Sequence, residues 1–451
     1  MTNEKSVISH SVFLIAFFAL FLLVACGDFM KPVEETPEPT AYEYNYWLLD
    51  RTYLYENELK DLPRHGDSIQ ELYQSLSDRY TRYYPPAKSE SAENHMNTSI
   101  VEGDLGMEYM VISMEGDSEP THPILISRVY AESPAGKAGV PRYGRILKAN
   151  GIELTGDYAK AVYDSIVDYS SIISLDVFYN DSLYHFDLTK ENVYAPTVFL
   201  DTISGVIFVS ITEFKSSTVN RKNGTYGELK TYLDSTTTEK NPRVLDLRNN
   251  PGGLISQCLP AADLFVKQGT LSKRKYIVFN PDGERTTDST VYTANPGDPG
   301  ESGNFIMLAN GASASCTEIF IAAVKEQGNI PLAGASTFGK GIGQTQWKTI
   351  EGGLAVITNL EFYTPKGNSY HNKGIDPDIK CESASRSCAL EALKTLYGGK
   401  LKAPSLKSSE KGTIENYLLR ESPIFRPEKA VFDPGGALDS GINFVHYSHP
   451  L

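Results

Sequence analysis

Residues 305–328 read FIMLANGASASCTEIFIAAVKEQG: an apolar run, a stretch of small residues, then apolar positions at helical spacing. A buried strand that breaks at small residues and passes into an amphipathic helix is one unit of an α/β core. The unit repeats in both directions. Upstream, VIFVSI (206–211) leads to TYGELKTYLDS (225–235), and RVLDL (243–247) leads to CLPAADLFVKQ (258–268). Downstream come the strands IPLAGA (330–335) and LAVITNLEFYT (354–364). The alternation over residues 193–400 predicts a core in which helices are laid on sheet.

Three constellations in this core carry chemistry. The strand Val244–Leu247 breaks into Arg248, Asn249, Asn250, Pro251, Gly252 and Gly253 ahead of a helical stretch. Glycines at a strand exit let backbone N–H groups face a ligand with no Cβ in the way, although a plain tight turn has the same spacing. Next, Asn310 to Glu318 sets Ser315 at a strand-to-helix junction, beside helix N-terminal N–H groups that favour an oxyanion. Ser315 with Glu318 three residues on is also a capping box, and the two roles do not exclude each other. Finally, Thr337 to Gln344 sets Lys340 among glycines, which is a solvated turn unless a nucleophile nearby needs a base. Histidine serves poorly for that: within the core region, 193–400, only His371 lies after the strands, in the polar loop SYHNKG.

The flanks read differently. Residues 1–25 hold a polar start and an apolar run, Val12 to Ala25, of about 21 Å as a helix, against a hydrocarbon core of roughly 30 Å. That is a signal segment rather than a span. Its end, Leu23-Val24-Ala25-Cys26, resembles a bacterial lipobox, which implies a lipidated Cys26; an ordinary signal peptide with a stray cysteine is the other reading. Residues 26–41 are acidic and Pro-rich, as suits a tether. Residues 42–95 carry apolar positions at three and four spacing (Tyr46, Leu49, Tyr53; Leu72, Leu76, Tyr80), which predicts a helical region ending at the Pro85-Pro86 pair. Residues 96–192 hold short β-rich runs and one helical stretch near Tyr158–Tyr169, a compact domain. Residues 401–451 form a C-terminal extension without clear period.

Four cysteines besides Cys26 allow three full pairings. Cys381 and Cys388 enclose only ESASRS, so a local disulfide is expected there, and export would place it in an oxidising compartment. No histidine lies at ligand spacing from these cysteines, so no metal site is expected, and neither HExxH nor a GK[ST] phosphate loop appears, so no cofactor is called. The formal net charge of -14 argues against nucleic acid as a partner.

LDLRNNPGG (245–253), SASCTEIF (313–320), TFGKGIGQ (337–344), YTPKG (363–367) and GIDPDI (374–379) together resemble the carboxyl-terminal processing, or tail-specific, serine proteases. Residues 96–192 resemble a PDZ domain: Asp104-Leu105-Gly106-Met107 stands at the carboxylate-binding loop, ESPAGKAGV (132–140) precedes GRILKANG (144–151), and Arg145 departs from the usual Asp. The resemblance implies an α+β and α/β multidomain chain with a helical N-terminal region, a PDZ domain and a crotonase-like core. By position it makes Ser315 the nucleophile, Lys340 the general base and Gln344 the residue that orients the base. The oxyanion donors it implies are the N–H of Cys316 and of Gly252 or Gly253. Cys316 replaces the family's usual Ala, and either crowds the pocket or pairs with Cys258.

The implied chemistry sets a condition on Lys340. A lysine titrates near 10.4 in water, so acting as a base near neutral pH requires its ammonium to be disfavoured by roughly 2 to 3 units, about 3 to 4 kcal/mol. A dry apolar pocket is needed, and Phe338 and Ile342, flanking the lysine, are the candidate walls. The expected function is an exported serine endopeptidase that takes proteins or peptides with exposed C-termini. It would be anchored through Cys26 to the lipid bilayer of a bacterial cell envelope. The alternative is a non-catalytic peptide-binding lipoprotein on the same fold.

Overall fold

The computed structural model describes residues 38–111, 122–280 and 284–398, and the backbone of 437–443; Cys26 and the tether to residue 37 lie outside them. Helix α1 (Ala41–Thr52) is capped by Thr40, and a short α2 (Ile69–Gln74) follows. The proline pair does not close the helical region. Tyr84 ends a strand, β1 (Arg82–Tyr84), and Pro86 opens a further helix, α3 (Pro86–Asn97). At a first helical position the missing N–H is not needed and the fixed φ is already helical, so the prolines start rather than stop it. Leu76 and Tyr80 are buried but irregular in backbone. The apolar side chains of α1 and α2 share one core with Trp347, Ala355 and Ile357 of a core sheet.

The small domain runs through β2 (Ile100–Asp104), β3 (Met107–Val111), β4 (Ile124–Val129), α4 (Pro134–Lys137), β5 (Arg145–Ala149), β6 (Ile152–Glu153), α5 (Ala159–Tyr169), β7 (Ile172–Tyr179), β8 (Ser182–Thr189) and β9 (Glu191–Tyr194). Its sheet has the order β3-β4-β5-β7-β8, with β6 on β5, while β2 pairs with β9. Tyr163 and Ala159 of α5 bury against it with Ile146, Leu175 and Val177.

The core has two sheets. In the first, β10 (Val198–Ile203) is antiparallel to β11 (Val206–Ile211), and β12 (Arg243–Asp246), β15 (Phe305–Ala309), β16 (Leu332–Gly334) and β19 (Ile379–Lys380) continue in parallel. Strands this apolar, β15 with every residue buried, belong to a sheet covered on both faces. One face carries α6 (Gly224–Ser235), α7 (Ile255–Asp263) and α8 (Cys316–Glu326); the other carries α9 (Arg386–Tyr397). In the second sheet, β13 (Thr270–Phe279) lies between β14 (Arg285–Thr293) and β18 (Leu354–Tyr363). Strand β17 (Ile342–Lys348) follows β18, and β1 takes the rest of the β18 edge. Residues 437–443 add β20 in parallel to β17, although the sequence shows no strand period there. The expected α+β and α/β multidomain class is the class this chain forms.

Candidate active site

The site lies where β12 and β15 end and α7 and α8 begin. Ser315 precedes α8 with φ 60° and ψ -119°, a conformation that costs a non-glycine residue about 1–3 kcal/mol and persists only where the surroundings impose it. Those surroundings are the loop 249–253. Asn249 N–H donates to Asn310 Oδ1 at 3.0 Å and Asn310 Nδ2 to Asn249 Oδ1 at 2.8 Å. The Asn250 carbonyl accepts from Ala314 N–H at 2.9 Å and from the Thr317 hydroxyl at 3.1 Å. A Cβ on Gly252 would stand 2.9 Å from Ser315 Cβ and 2.9 Å from Cys316 N, so only glycine lets this loop touch the serine turn.

The two glycines differ. Gly252 N–H donates to Asn250 Oδ1 at 2.9 Å. The N–H groups of Gly253 and Cys316 have no acceptor among the described residues. Gly253 is pressed against the Phe214 carbonyl, 2.1 Å from where a Cβ would sit, which pins its peptide plane.

Only one arm of the capping box forms. Glu318 accepts from Ser315 N–H at 2.8 Å, but the Glu318 N–H goes to the Ser315 carbonyl at 2.8 Å, and the buried Ser315 Oγ has no hydrogen-bond partner. The same carboxylate also accepts from Lys340 N–H and Gly339 N–H, each at 2.7 Å, and from the Thr337 hydroxyl at 2.5 Å. Glu318 therefore ties the serine turn to the lysine loop. Burial pushes its carboxyl above the usual range, against the pull of these four donors.

Lys340 is 1% exposed. Its Nζ donates to Gln344 Oε1 at 3.3 Å, and Gln344 Nε2 in turn donates to Thr358 Oγ1 at 2.9 Å, fixing the amide. One surface lies outside the expected pair of walls. Ile342 is buried, but Phe338 is half-exposed beside Arg79, and the surface over the amine is the ring of Tyr80, 3.7 Å from Nζ. Tyr80 is far off in sequence and gave no signal beyond helical spacing. His371 lies on the lysine loop, its Nδ1 accepting from Gly341 N–H at 3.3 Å; burial holds its titration below the usual value.

Both disulfides are closed. Cys381 pairs with Cys388, and Cys258 with Cys316, so the residue beside the serine is bonded into α7 instead of filling the pocket as a free thiol. Behind the loop 249–253, Arg248 donates to Asp246 at 2.7 and 2.8 Å, and Arg386 bridges Asp246 (3.1 Å) and Asp201 (3.0 Å). Asp201 is also paired with Arg142 of the small domain. Burial would raise the Asp246 carboxyl, but Arg248 and Arg386 outweigh it and hold it down to about 2.

In the small domain Gly106, at φ 72°, sits 1.9 Å from Ser133 Cβ, counted from where its own Cβ would be. Ser133 and Tyr130 both donate to the Gly106 carbonyl, and Ala135 N–H to that of Leu105. Gly106 N–H donates to Asp104 Oδ1 at 2.5 Å, and Met107 begins β3. Among the described residues no group of three or more His, Cys, Asp or Glu is placed to hold a metal ion.

Residues 205–381 match peptidase family S41. The chain is 25% identical over 376 residues to a CtpA-like serine protease of Staphylococcus saprophyticus, covering 82% of this chain and 72% of the relative. It is 27% identical over 322 residues to a CtpA-like serine protease of Staphylococcus aureus, covering 70% of this chain but only 60% of that relative's length. Among solved structures, a protein of Bacteroides fragilis assigned to the S41 proteases shares the fold, with a TM-score of 0.52 at 16% identity over 81% of this chain and 98% of the other.

Proposed function

We propose, from the match of residues 205–381 to peptidase family S41 and the likeness to CtpA-like serine proteases at 25–27% identity, that the chain is an endopeptidase with Ser315 as nucleophile, Lys340 as general base and Gln344 as the residue that aims the lysine. Ser315 Oγ passes its proton to neutral Lys340 Nζ and attacks the scissile carbonyl. The oxyanion forms between the N–H groups of Cys316 and Gly253, and Lys340 returns the proton to the leaving amine. Water then repeats the sequence on the acyl-enzyme. The observation that carries this is a buried serine hydroxyl with no partner, held at positive φ by the same carboxylate that holds the lysine backbone. Contacts of this kind tighten when substrate enters.

Residues 96–192 act as a PDZ domain on this reading. A substrate tail pairs with β3, and its carboxylate meets the loop Asp104-Leu105-Gly106-Met107. The chain is exported and held at the cell envelope by lipid on Cys26. Ser315→Ala and Lys340→Ala should each abolish cleavage of an unstructured apolar-tailed peptide; wild-type turnover by either variant refutes the assignment. A Cys26→Ser variant found in the soluble fraction, with the wild type in the membrane fraction, tests the anchor.

One observation favours the alternative of a peptide-holding protein: Lys340 Nζ rests on Gln344 and Tyr80, not on Ser315. Labelling of Ser315 by a fluorophosphonate, read by intact mass, separates the two. An unlabelled protein that still binds tails would be the binder.

A further inference from the structure

The Cys258–Cys316 bond joins the first turn of α7 to the first residue of α8, with Cα atoms 5.9 Å apart. Both residues are fully buried in the apolar layer that the two helices share. These helices start from the loops that bear the candidate oxyanion donors. Gly253 stands two residues ahead of α7, and Cys316 carries the other donor on its own backbone. Further ties between the two loops are the hydrogen bonds of Asn249 with Asn310, of Asn250 with Ala314 and Thr317, and of the Ser313 hydroxyl, which donates to the Leu247 carbonyl at 2.9 Å.

We infer that this disulfide is a positioning device for the oxyanion hole, holding the Gly253 and Cys316 N–H groups at the separation a tetrahedral oxyanion requires. The inference rests on the serine protease reading above. Without the bond the two helix starts lose their covalent tie, and Cys316 passes any resulting shift of α8 directly to its own N–H. Oxyanion donors act at about 2.7–3.1 Å, and a displacement of about 1 Å costs on the order of a hundredfold in rate. The nucleophile is held separately, because Glu318 grips Ser315 N–H from the other side of the turn. Loss of the bond therefore weakens transition-state stabilisation while substrate binding persists.

The test uses the full-length chain with Cys258→Ala and Cys316→Ala combined, and a second pair, Cys258→Val with Cys316→Ala, that refills the core volume. Turnover of an unstructured peptide is read together with inhibition by a peptide boronate, whose tetrahedral adduct on Ser315 places an oxygen in the hole. Expected is a kcat lower by about ten- to a hundredfold with KM within twofold, and a boronate Ki weakened by the same factor as kcat/KM. Leu393→Ala opens a cavity on the far face of the first sheet and should lower the melting temperature yet leave kcat and Ki unchanged well below the midpoint. Either cysteine pair folding with kcat and Ki within twofold of an active wild type overturns the inference, because the bond would then only stabilise. A wild type that neither cleaves nor forms the adduct fails at the serine protease reading itself, and the inference falls with it.

Discussion

The serine turn, 310–318, and the glycine loop of the small domain, 104–107, are both short turns at which the proposed function places an anion, yet they are held differently. The serine turn is fixed by partners distant in sequence: Asn249 and Asn250 on one side, the lysine loop through Glu318 on the other, and a disulfide beneath. The 104–107 loop is fixed through its carbonyls by residues 130–135, and one of its N–H groups is taken by its own Asp104. A preorganised site holds its donors empty and rigid at no further cost during reaction. A binding loop that answers its own donor must exchange partners when a ligand arrives. The first arrangement suits a reacting centre and the second a reversible contact.

The sharpest way to break this contrast is at Glu318. Glu318→Gln turns an acceptor of four donors into a group that presents N–H to some of them, inside a buried site. Leaving buried donors unpaired costs about 1–3 kcal/mol each, so a stability loss of about 3 kcal/mol is expected. With both Ser315 and Lys340 released, kcat should fall by about a thousandfold. Denaturant unfolding and peptide turnover check both numbers. A variant with normal kcat would show that the serine turn is held without the carboxylate.

A second test concerns the charge chain behind loop 249–253, which runs from the small domain to that loop through Arg142, Asp201, Arg386, Asp246 and Arg248. Asp246 titrates at about 2 when folded, below the ordinary 3.8, so folding favours its ionised form. The stability this supplies, about 2 kcal/mol, is complete above about pH 4 and disappears as pH falls toward 2. Asp246→Asn should lose about 3 kcal/mol at pH 7, leaving Arg248 and Arg386 less well paired, and should flatten the stability profile between pH 4 and 2. Urea melts across that range decide it; an unchanged slope removes Asp246 from the chain.

The parts legible in the sequence are those coded within a few residues. Strand, small-residue break and helix at 305–328 carry their own signal, as does the glycine pair after RVLDL, and the order of motifs placed Ser315 and Lys340 in one core. What closes the site is set by contacts that local spacing cannot encode. Tyr80 reaches Lys340 from the N-terminal region, Arg386 reaches Asp246 from the helix after β19, and Asn310 pairs with Asn249. The Glu318 spacing was visible as a capping box, yet the three donors from 337–340 that make it a clamp were not. Cysteine counting left the Cys258–Cys316 pair open for the same reason.

Tyr80 gives a smaller effect than Asp246. Its ring face attracts an ammonium by about 0.5–2 kcal/mol, in competition with the burial that disfavours that charge. Tyr80→Leu keeps the wall apolar and removes the attraction, so neutral Lys340 is reached at lower pH. The rising limb of kcat/KM against pH should shift down by about one unit, with Tyr80→Phe close to wild type. A limb that stays in place would mean that the ring only excludes water.

The smallest effect is expected at the 104–107 loop, and it bears directly on the opening contrast. Asp104 Oδ1 occupies the Gly106 N–H that an incoming carboxylate would use, and brings a negative charge to the same place. Asp104→Asn keeps the acceptor oxygen, so the loop stays formed, but removes the charge. On this arrangement a C-terminal peptide should bind about threefold tighter, roughly 0.6 kcal/mol, with the gain shrinking as salt screens the repulsion. The same peptide with an amidated C-terminus should show no gain. Isothermal titration with both peptides at low and high salt reads this out. Equal tightening for the amide would place the effect in loop conformation, and the small-domain loop would then be as preorganised as the serine turn.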